Sequence, residues 1–167
     1  MKFLTPSIIL IEPQLGENIG ATSRAMLNFG VSDLRLVNPR DGWPNTKANA
    51  MAAGALEDKN FNVTLYDNIK DATADISYLL ATTARIRDMN KSVFNTKDGI
   101  EKLIDVQNKV NKTAIIFGGE KSGLNNQDLV KADALINIHN NKNFSSINLS
   151  MSVLIICYEW FLNTSKN

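Results

Sequence analysis

Apolar and polar positions along the chain fall into short blocks whose period switches between that of a strand and that of a helix. Ser7-Ile8-Ile9-Leu10-Ile11 and Thr113-Ala114-Ile115-Ile116-Phe117 are almost unbroken apolar runs, the pattern of strands covered on both faces. Leu34-Arg35-Leu36-Val37, Val63 to Tyr66, Tyr78 to Thr83 and Ala134 to Ile138 predict four further strands. Between them the apolar positions recur at helical spacing. After a polar loop from Glu12 to Glu17, Asn18 is the expected N-cap of a helix whose apolar face carries Ala21, Ala25, Met26 and Phe29 and which Gly30 ends. Helices are also predicted from Thr46 to Leu56, with Gly54 as a weak point, around Ile69 to Asp75, from Lys97 to Gln107, and from Asn148 to Leu162. Residues 84–96 read as a loop. Strands that alternate with helices predict the α/β class, a mostly parallel sheet flanked by helices. No repeat, low-complexity tract or linker divides the chain, so one domain over residues 1–167 is expected.

Composition narrows the chemistry. Hydrophobic residues make up 44% and charged residues 21%, as in an ordinary globular domain. No apolar run is long enough to cross a bilayer and the N-terminus lacks the pattern of a signal peptide, so no membrane partner and a cytoplasmic location are expected. Cys157 is the single cysteine and His139 the single histidine, which leaves no internal disulfide and no metal site built from several thiolates or imidazoles. The net charge is only +1. Dedicated nucleic-acid binders are often strongly basic, so any RNA site here must be a local patch or be completed by a second subunit.

Candidate chemistry sits in three polar segments. Asn18-Ile19-Gly20-Ala21-Thr22-Ser23-Arg24 puts Arg24 two turns into the first helix. Phe117-Gly118-Gly119-Glu120-Lys121-Ser122-Gly123-Leu124 places a carboxylate in a glycine-rich loop after a buried strand. Ser145-Ser146-Ile147-Asn148-Leu149-Ser150 is a polar mouth to the apolar last helix. Loops that follow the strands of a parallel sheet gather at one edge, where ligands bind, so the three suggest one composite site. Neither the GxGxxG nor the GxxxxGK[ST] spacing is present, which removes the main support for a dinucleotide or nucleoside-triphosphate site and for a small-molecule enzyme of Rossmann type. His139, at the end of a predicted strand, is a poor general base.

These segments, in this order, resemble the three motifs of the SpoU branch of the SPOUT methyltransferases, the TrmH-like RNA ribose methylases. Asn18 and Arg24 match the first motif, Gly118-Gly119-Glu120 with Gly123-Leu124 the second, and Ile138 followed by Ser146-Ile147-Asn148 the third. Ile11-Glu12-Pro13-Gln14-Leu15-Gly16-Glu17-Asn18-Ile19-Gly20, Asn28-Phe29-Gly30, Leu34 to Arg40, and Thr82-Thr83-Ala84-Arg85 are similar to the TrmJ-type tRNA methylases of that branch. The likeness runs over nearly the whole chain. Gly119 and His139 depart from it, since relatives usually carry a bulkier residue and a proline there.

The resemblance implies a SPOUT fold with a C-terminal trefoil knot, which chain-connection rules alone would exclude. It implies a homodimer, S-adenosylmethionine as cofactor and tRNA or another structured RNA as partner, with a ribose 2′-hydroxyl as the methyl acceptor. The TrmJ-like target is nucleotide 32 in the tRNA anticodon loop; another tRNA ribose, an rRNA ribose and a non-catalytic RNA-binding module are the alternatives. Longer TrmJ-type enzymes carry a C-terminal helical extension, and the expected domain here lacks it. The implied catalytic group is Arg24 with Asn18, Glu120, Ser146 and Asn148. The implied cofactor contacts are Thr82, Phe117, Gly118, Gly119, Glu120, Ile138, Ser146 and Leu149, chiefly through backbone groups. In the family the arginine of one subunit reaches the cofactor of the other, as a base aided by the substrate phosphate; a phosphate clamp that stabilises the developing oxyanion is an equal reading, because a guanidinium holds its proton.

Plainer roles stand beside these. Arg24 alone would be a solvated helix residue, Asn18 an N-cap and Glu120 a loop carboxylate capping the next helix rather than ordering its own loop, and Ser146 and Asn148 are also helix-start residues. Arg35, Arg40, Arg85 and Arg87 are candidate phosphate contacts, though a solvated loop charge is the simpler reading for each. Cys157 is expected in the core.

Overall fold

The computed structural model describes residues 4–84, 90–109 and 112–165. Its order is β1 (Ser7–Ile11), α1 (Gly16–Asn28), β2 (Asp33–Val37), α2 (Thr46–Ala52), β3 (Asn62–Tyr66), α3 (Ile69–Ala72), β4 (Tyr78–Thr82), β5 (Val93–Phe94), α4 (Thr96–Gln107), β6 (Thr113–Phe117), α5 (Asn126–Val130), β7 (Ala134–Ile136) and α6 (Leu149–Thr164). The described strands form a seven-stranded sheet in the order β3-β2-β1-β6-β4-β7-β5, parallel at every pairing.

The sheet is covered on both sides, and side-chain alternation sorts its residues between two cores. Ile8, Leu10, Leu34, Leu36, Leu80, Ile115 and Phe117 pack with residues of α1, α2, α4 and α6. Ile9, Ile11, Leu79, Ala81, Ala114, Ile116 and Leu135 face the opposite way and pack with Ala72 and Leu129. The unbroken apolar runs of β1 and β6 follow from this, since every residue in both is buried. Cys157 is core, and burial pushes its thiol up to about 12, so it holds its proton.

Several boundaries differ from those the sequence predicts. Asn18 is no N-cap: α1 begins at Gly16 with Leu15 at the cap position, and Asn18 lies inside its first turn. The predicted helix from Thr46 to Leu56 breaks where Ala53 and Gly54 both turn left-handed, and a single 3-10 turn follows. The expected loop at 84–96 contains β5, whose pairing is anchored by Leu135 N–H to Ser92 O and Asn137 N–H to Phe94 O, each 2.9 Å. Helix α5 was not predicted, although Asn125 and Asp128 form a capping box at its start. Strand β7 stops at Ile136, which leaves Asn137, Ile138 and the exposed His139 in the following loop.

Arg35 is neither a phosphate contact nor a solvated loop charge. It is 3% exposed, on β2, and its guanidinium forks onto Asp75 at 2.5 and 2.9 Å, bonds Ala72 O at 2.7 Å and reaches Asp33 at 3.2 Å. Lys112 closes on the same Asp75 at 2.7 Å. A bidentate fork of this kind ties the α3 turn to β2, and it keeps the buried charge paired. Arg40 is exposed and pairs with its neighbour Asp41 at 3.0 Å. Arg85 and Arg87 lie outside the described residues.

Candidate active site

The C-terminal ends of the adjacent strands β6, β4 and β7 release three loops that wall a cleft of about 550 Å³. That volume suits a nucleoside-sized ligand. Thr82, Thr83 and Ala84 form one wall, the 117–124 loop a second, and Ile138, Asn140, residues 145–147, Leu149 and Ser152 the third. The walls are tied together where they leave the sheet. Thr83 N–H donates to Ile136 O at 2.9 Å, Asn137 Nδ2 donates to Thr83 O at 2.8 Å, and the Thr82 hydroxyl donates to Ile116 O at 3.0 Å.

Glycine shapes the middle wall. The 118–123 segment doubles back through Gly123 N–H to Gly119 O at 3.0 Å, with Gly123 at a φ of +64°. A Cβ on Gly118 would stand 2.1 Å from the Gly123 carbonyl carbon, and one on Gly119 would stand 2.6 Å from Glu12 O. Both neighbours are backbone, so the turn excludes side chains at these positions. Gly119 is thus matched to the close approach of the loop after β1. The cleft is lined by glycine backbone, small polar side chains and the apolar Phe117, Leu124, Ile138, Ile147 and Leu149, with Glu120 and Lys121 as its charged residues.

Glu120 neither caps the next helix, which Asn125 does, nor bonds only within its own loop. Its carboxylate crosses to the segment before α1, accepting from Gln14 N–H at 2.7 Å, Leu15 N–H at 3.0 Å and Asn18 Nδ2 at 2.9 Å. Burial alone would raise its pKa, but these donors favour the charged form more strongly and hold it below the ordinary carboxylate value. The bonds therefore persist through neutral pH and are lost only as pH falls through that lowered value. Asn148 continues the chain: its Nδ2 donates to Asn18 Oδ1 at 2.9 Å. Its own Oδ1 accepts from Ser150 N–H at 2.9 Å, as the N-cap of α6. One residue from each of the three sequence segments is thus joined in a single polar path, Glu120–Asn18–Asn148.

The expected cofactor contacts Thr82, Phe117, Gly118, Gly119, Glu120, Ile138, Ser146 and Leu149 all line the cleft. Arg24 stands apart. It is exposed on the outward side of α1, makes no hydrogen bond or ion pair among the described residues, and is not among those lining the cleft. The cleft also takes in Asn140, Ser145 and Ser152, which motif matching passes over. The amides of Gln14 and Leu15 were equally hidden, since a backbone donor has no sequence signature.

Comparison with known proteins agrees with this arrangement. Residues 6–158 match the model of the SpoU rRNA Methylase family. An uncharacterized tRNA/rRNA methyltransferase of Haemophilus influenzae is 35% identical over 91% of the chain, which spans 61% of that relative's length. A tRNA (cytidine-2′-O-)-methyltransferase TrmJ of Methanocaldococcus jannaschii is 30% identical over 96% of the chain and 69% of its own. Among solved structures, TrmJ from Z. mobilis ZM4 superposes with a TM-score of 0.87 at 39% identity, covering 98% of this chain and 72% of that one.

Proposed function

Because the chain belongs to the SpoU methylase family, we propose that it transfers a methyl group from S-adenosylmethionine to a ribose 2′-hydroxyl of RNA, with tRNA as the substrate class. The observation that carries this reading is the Glu120–Asn18–Asn148 path, which joins the three segments beside the cleft that Glu120 lines. The name of the Methanocaldococcus relative favours tRNA and a cytidine, and nucleotide 32 in the anticodon loop is the position this reading takes. One catalytic domain over residues 1–167, knotted as its family implies and working in the cytoplasm, carries the reaction. Among the described residues no helix is long and apolar enough to cross a membrane.

The cleft fits the cofactor in size and in chemistry. A wall of glycine backbone and small polar groups suits a neutral nucleoside, and the amide and carbonyl groups around Gly118, Ile138 and Leu149 are the contacts that would hold it. S-adenosylmethionine, when bound, supplies an electrophilic methyl on a sulfonium centre. The chain's own task is to place the ribose hydroxyl and ease the loss of its proton to the substrate phosphate. Alignment of the reacting groups supplies much of the acceleration. Ser146 lines the cleft and would orient the ribose. Asn148, bonded to Asn18 and capping α6, acts as a positioning residue beside it, and Glu120 fixes Asn18 and the start of α1 against the cofactor wall. Arg24 would grip the substrate phosphate, offsetting charge that develops on the attacking oxygen. Calorimetry with S-adenosylhomocysteine is expected to give one molecule per subunit; absence of binding by both this compound and S-adenosylmethionine would overturn the enzymatic reading.

The position of Arg24 away from its own cleft supports a second copy of the chain as partner. Helix α6 supplies the matching surface: Met151, Leu154, Ile155, Tyr158 and Phe161 are all exposed, with Met151 at 59%. Phe29, the C-cap of α1, meets Tyr158 edge-on and Phe161 at a tilt, with centroid distances of 5.4 and 5.8 Å, which extends the patch to the end of the helix that bears Arg24. An apolar area this continuous marks an interface rather than a solvated surface. Light scattering at micromolar concentration is expected to report a dimer, and a stable monomer there would refute the shared site.

A further inference from the structure

Phe144 is the most exposed large apolar side chain among the described residues, with 79% of its surface open. It lies in the loop before α6 and joins neither core cluster. Its sequence neighbours are polar, Asn141, Lys142 and Asn143 before it and Ser145 and Ser146 after it. Protein interfaces are built on contiguous apolar surface; the segment that carries this ring is otherwise polar.

The backbone beneath it is held. Phe144 N–H donates to Asn141 O at 3.0 Å, Asn143 N–H donates to Asn141 Oδ1 at 3.0 Å, and Asn140 Nδ2 donates to Ser145 O at 2.8 Å. Asn140, Ser145 and Ser146 themselves line the cleft. The loop that carries Phe144 is therefore pinned to the rim of the candidate site, with the cation of Lys142 two residues away. An exposed aromatic face on a held loop at the rim of a nucleoside-sized cleft, with a lysine in the same loop, carries the two elements by which proteins hold unstacked bases, a π surface and positive charge.

We propose that Phe144 is a stacking platform for a nucleobase at the entrance to the cleft. The proposal rests on the methyltransferase reading. That reading offers two sources of the base, a nucleotide of the RNA and the adenine of the cofactor, and both present the same flat π surface.

Phe144→Ala, Phe144→Tyr and Phe144→Leu separate the outcomes. The Kd for S-adenosylhomocysteine by calorimetry reports the adenine, and the KM together with gel-shift affinity for an unmodified tRNA transcript reports the RNA base. Phe144→Ala is expected to weaken one of the two by roughly tenfold, the scale of losing one base–aromatic contact. Phe144→Tyr should retain it and Phe144→Leu should not, because a leucine offers apolar area without a ring face. The proposal is overturned if neither constant moves, if leucine serves as well as tyrosine, or if Phe144→Ala instead dissociates the dimer, which would make the ring a subunit contact. A wild-type protein that binds neither compound nor RNA would sink the methyltransferase reading as well; an active wild type with an indifferent Phe144→Ala would sink this inference alone.

Discussion

Arg24→Ala is expected to leave the dimer and the cofactor affinity nearly unchanged while methyl transfer to tRNA falls by at least about a hundredfold, the scale of losing a positioned acid–base or oxyanion-stabilising group. The side chain makes no ion pair or hydrogen bond among the described residues and is exposed on α1, so removing it breaks no polar contact among them. It does not line the cleft, so binding of S-adenosylhomocysteine should survive. Arg24→Lys should restore little, because an ammonium cannot reproduce the planar two-pronged grip of a guanidinium on phosphate. Subunit mixing makes the assignment sharper. Arg24→Ala chains combined with chains disabled at Gly118 should regain one working site per heterodimer, since each contributes what the other lacks. Near-normal turnover of Arg24→Ala at saturating tRNA would show that the residue is only a surface charge.

Arg35→Ala should lower the unfolding free energy by about 3 kcal/mol, the low end for breaking a buried ion pair, because the half-exposed Asp75 can rehydrate once its partner is gone. Urea denaturation reads the loss directly. The pH dependence gives a second reading. The hydrogen bond from Arg35, aided by the one from Lys112, holds the Asp75 carboxyl far below the usual carboxylate range. A depressed folded-state pKa adds stability that is full above the unfolded value of about 3.9 and fades as pH falls below it. The gap between wild type and Arg35→Ala should therefore narrow on acidification below about pH 4. A gap that stays constant would mean that the lost stability comes from the packing of the arginine stem rather than from its charge.

Arg35 also shows where reading from the chain alone stops. Its strand, β2, is legible because Leu34, Leu36 and Val37 mark a buried element. Its pairing with Asp75 is not, since the two residues are 40 apart and meet only once α3 has packed onto the sheet. Asn18 failed in the same way. A polar residue ahead of an apolar helical period looks like a cap, but Glu120, 102 residues away, claims its side chain. The short elements were missed for local reasons: two residues suffice for β5 because β7 offers an open edge, and α5 is a single capped turn. The site's loops were legible through the spacing of the three segments. The polar path that joins them was not, because its donors include the backbone of Gln14 and Leu15.

The central claim, that this chain methylates a ribose in tRNA at the cleft ringed by Thr82, Gly118 and Leu149, meets its most direct test in the tRNA itself. Mass-spectrometric mapping of 2′-O-methylation should be carried out on tRNA from cells with the gene, without it, and complemented by wild type or by Arg24→Ala. The account predicts one ribose methyl that disappears with the gene and returns with wild type but not with Arg24→Ala. Identical methylation maps in the presence and absence of the gene, or full restoration by Arg24→Ala, would contradict it.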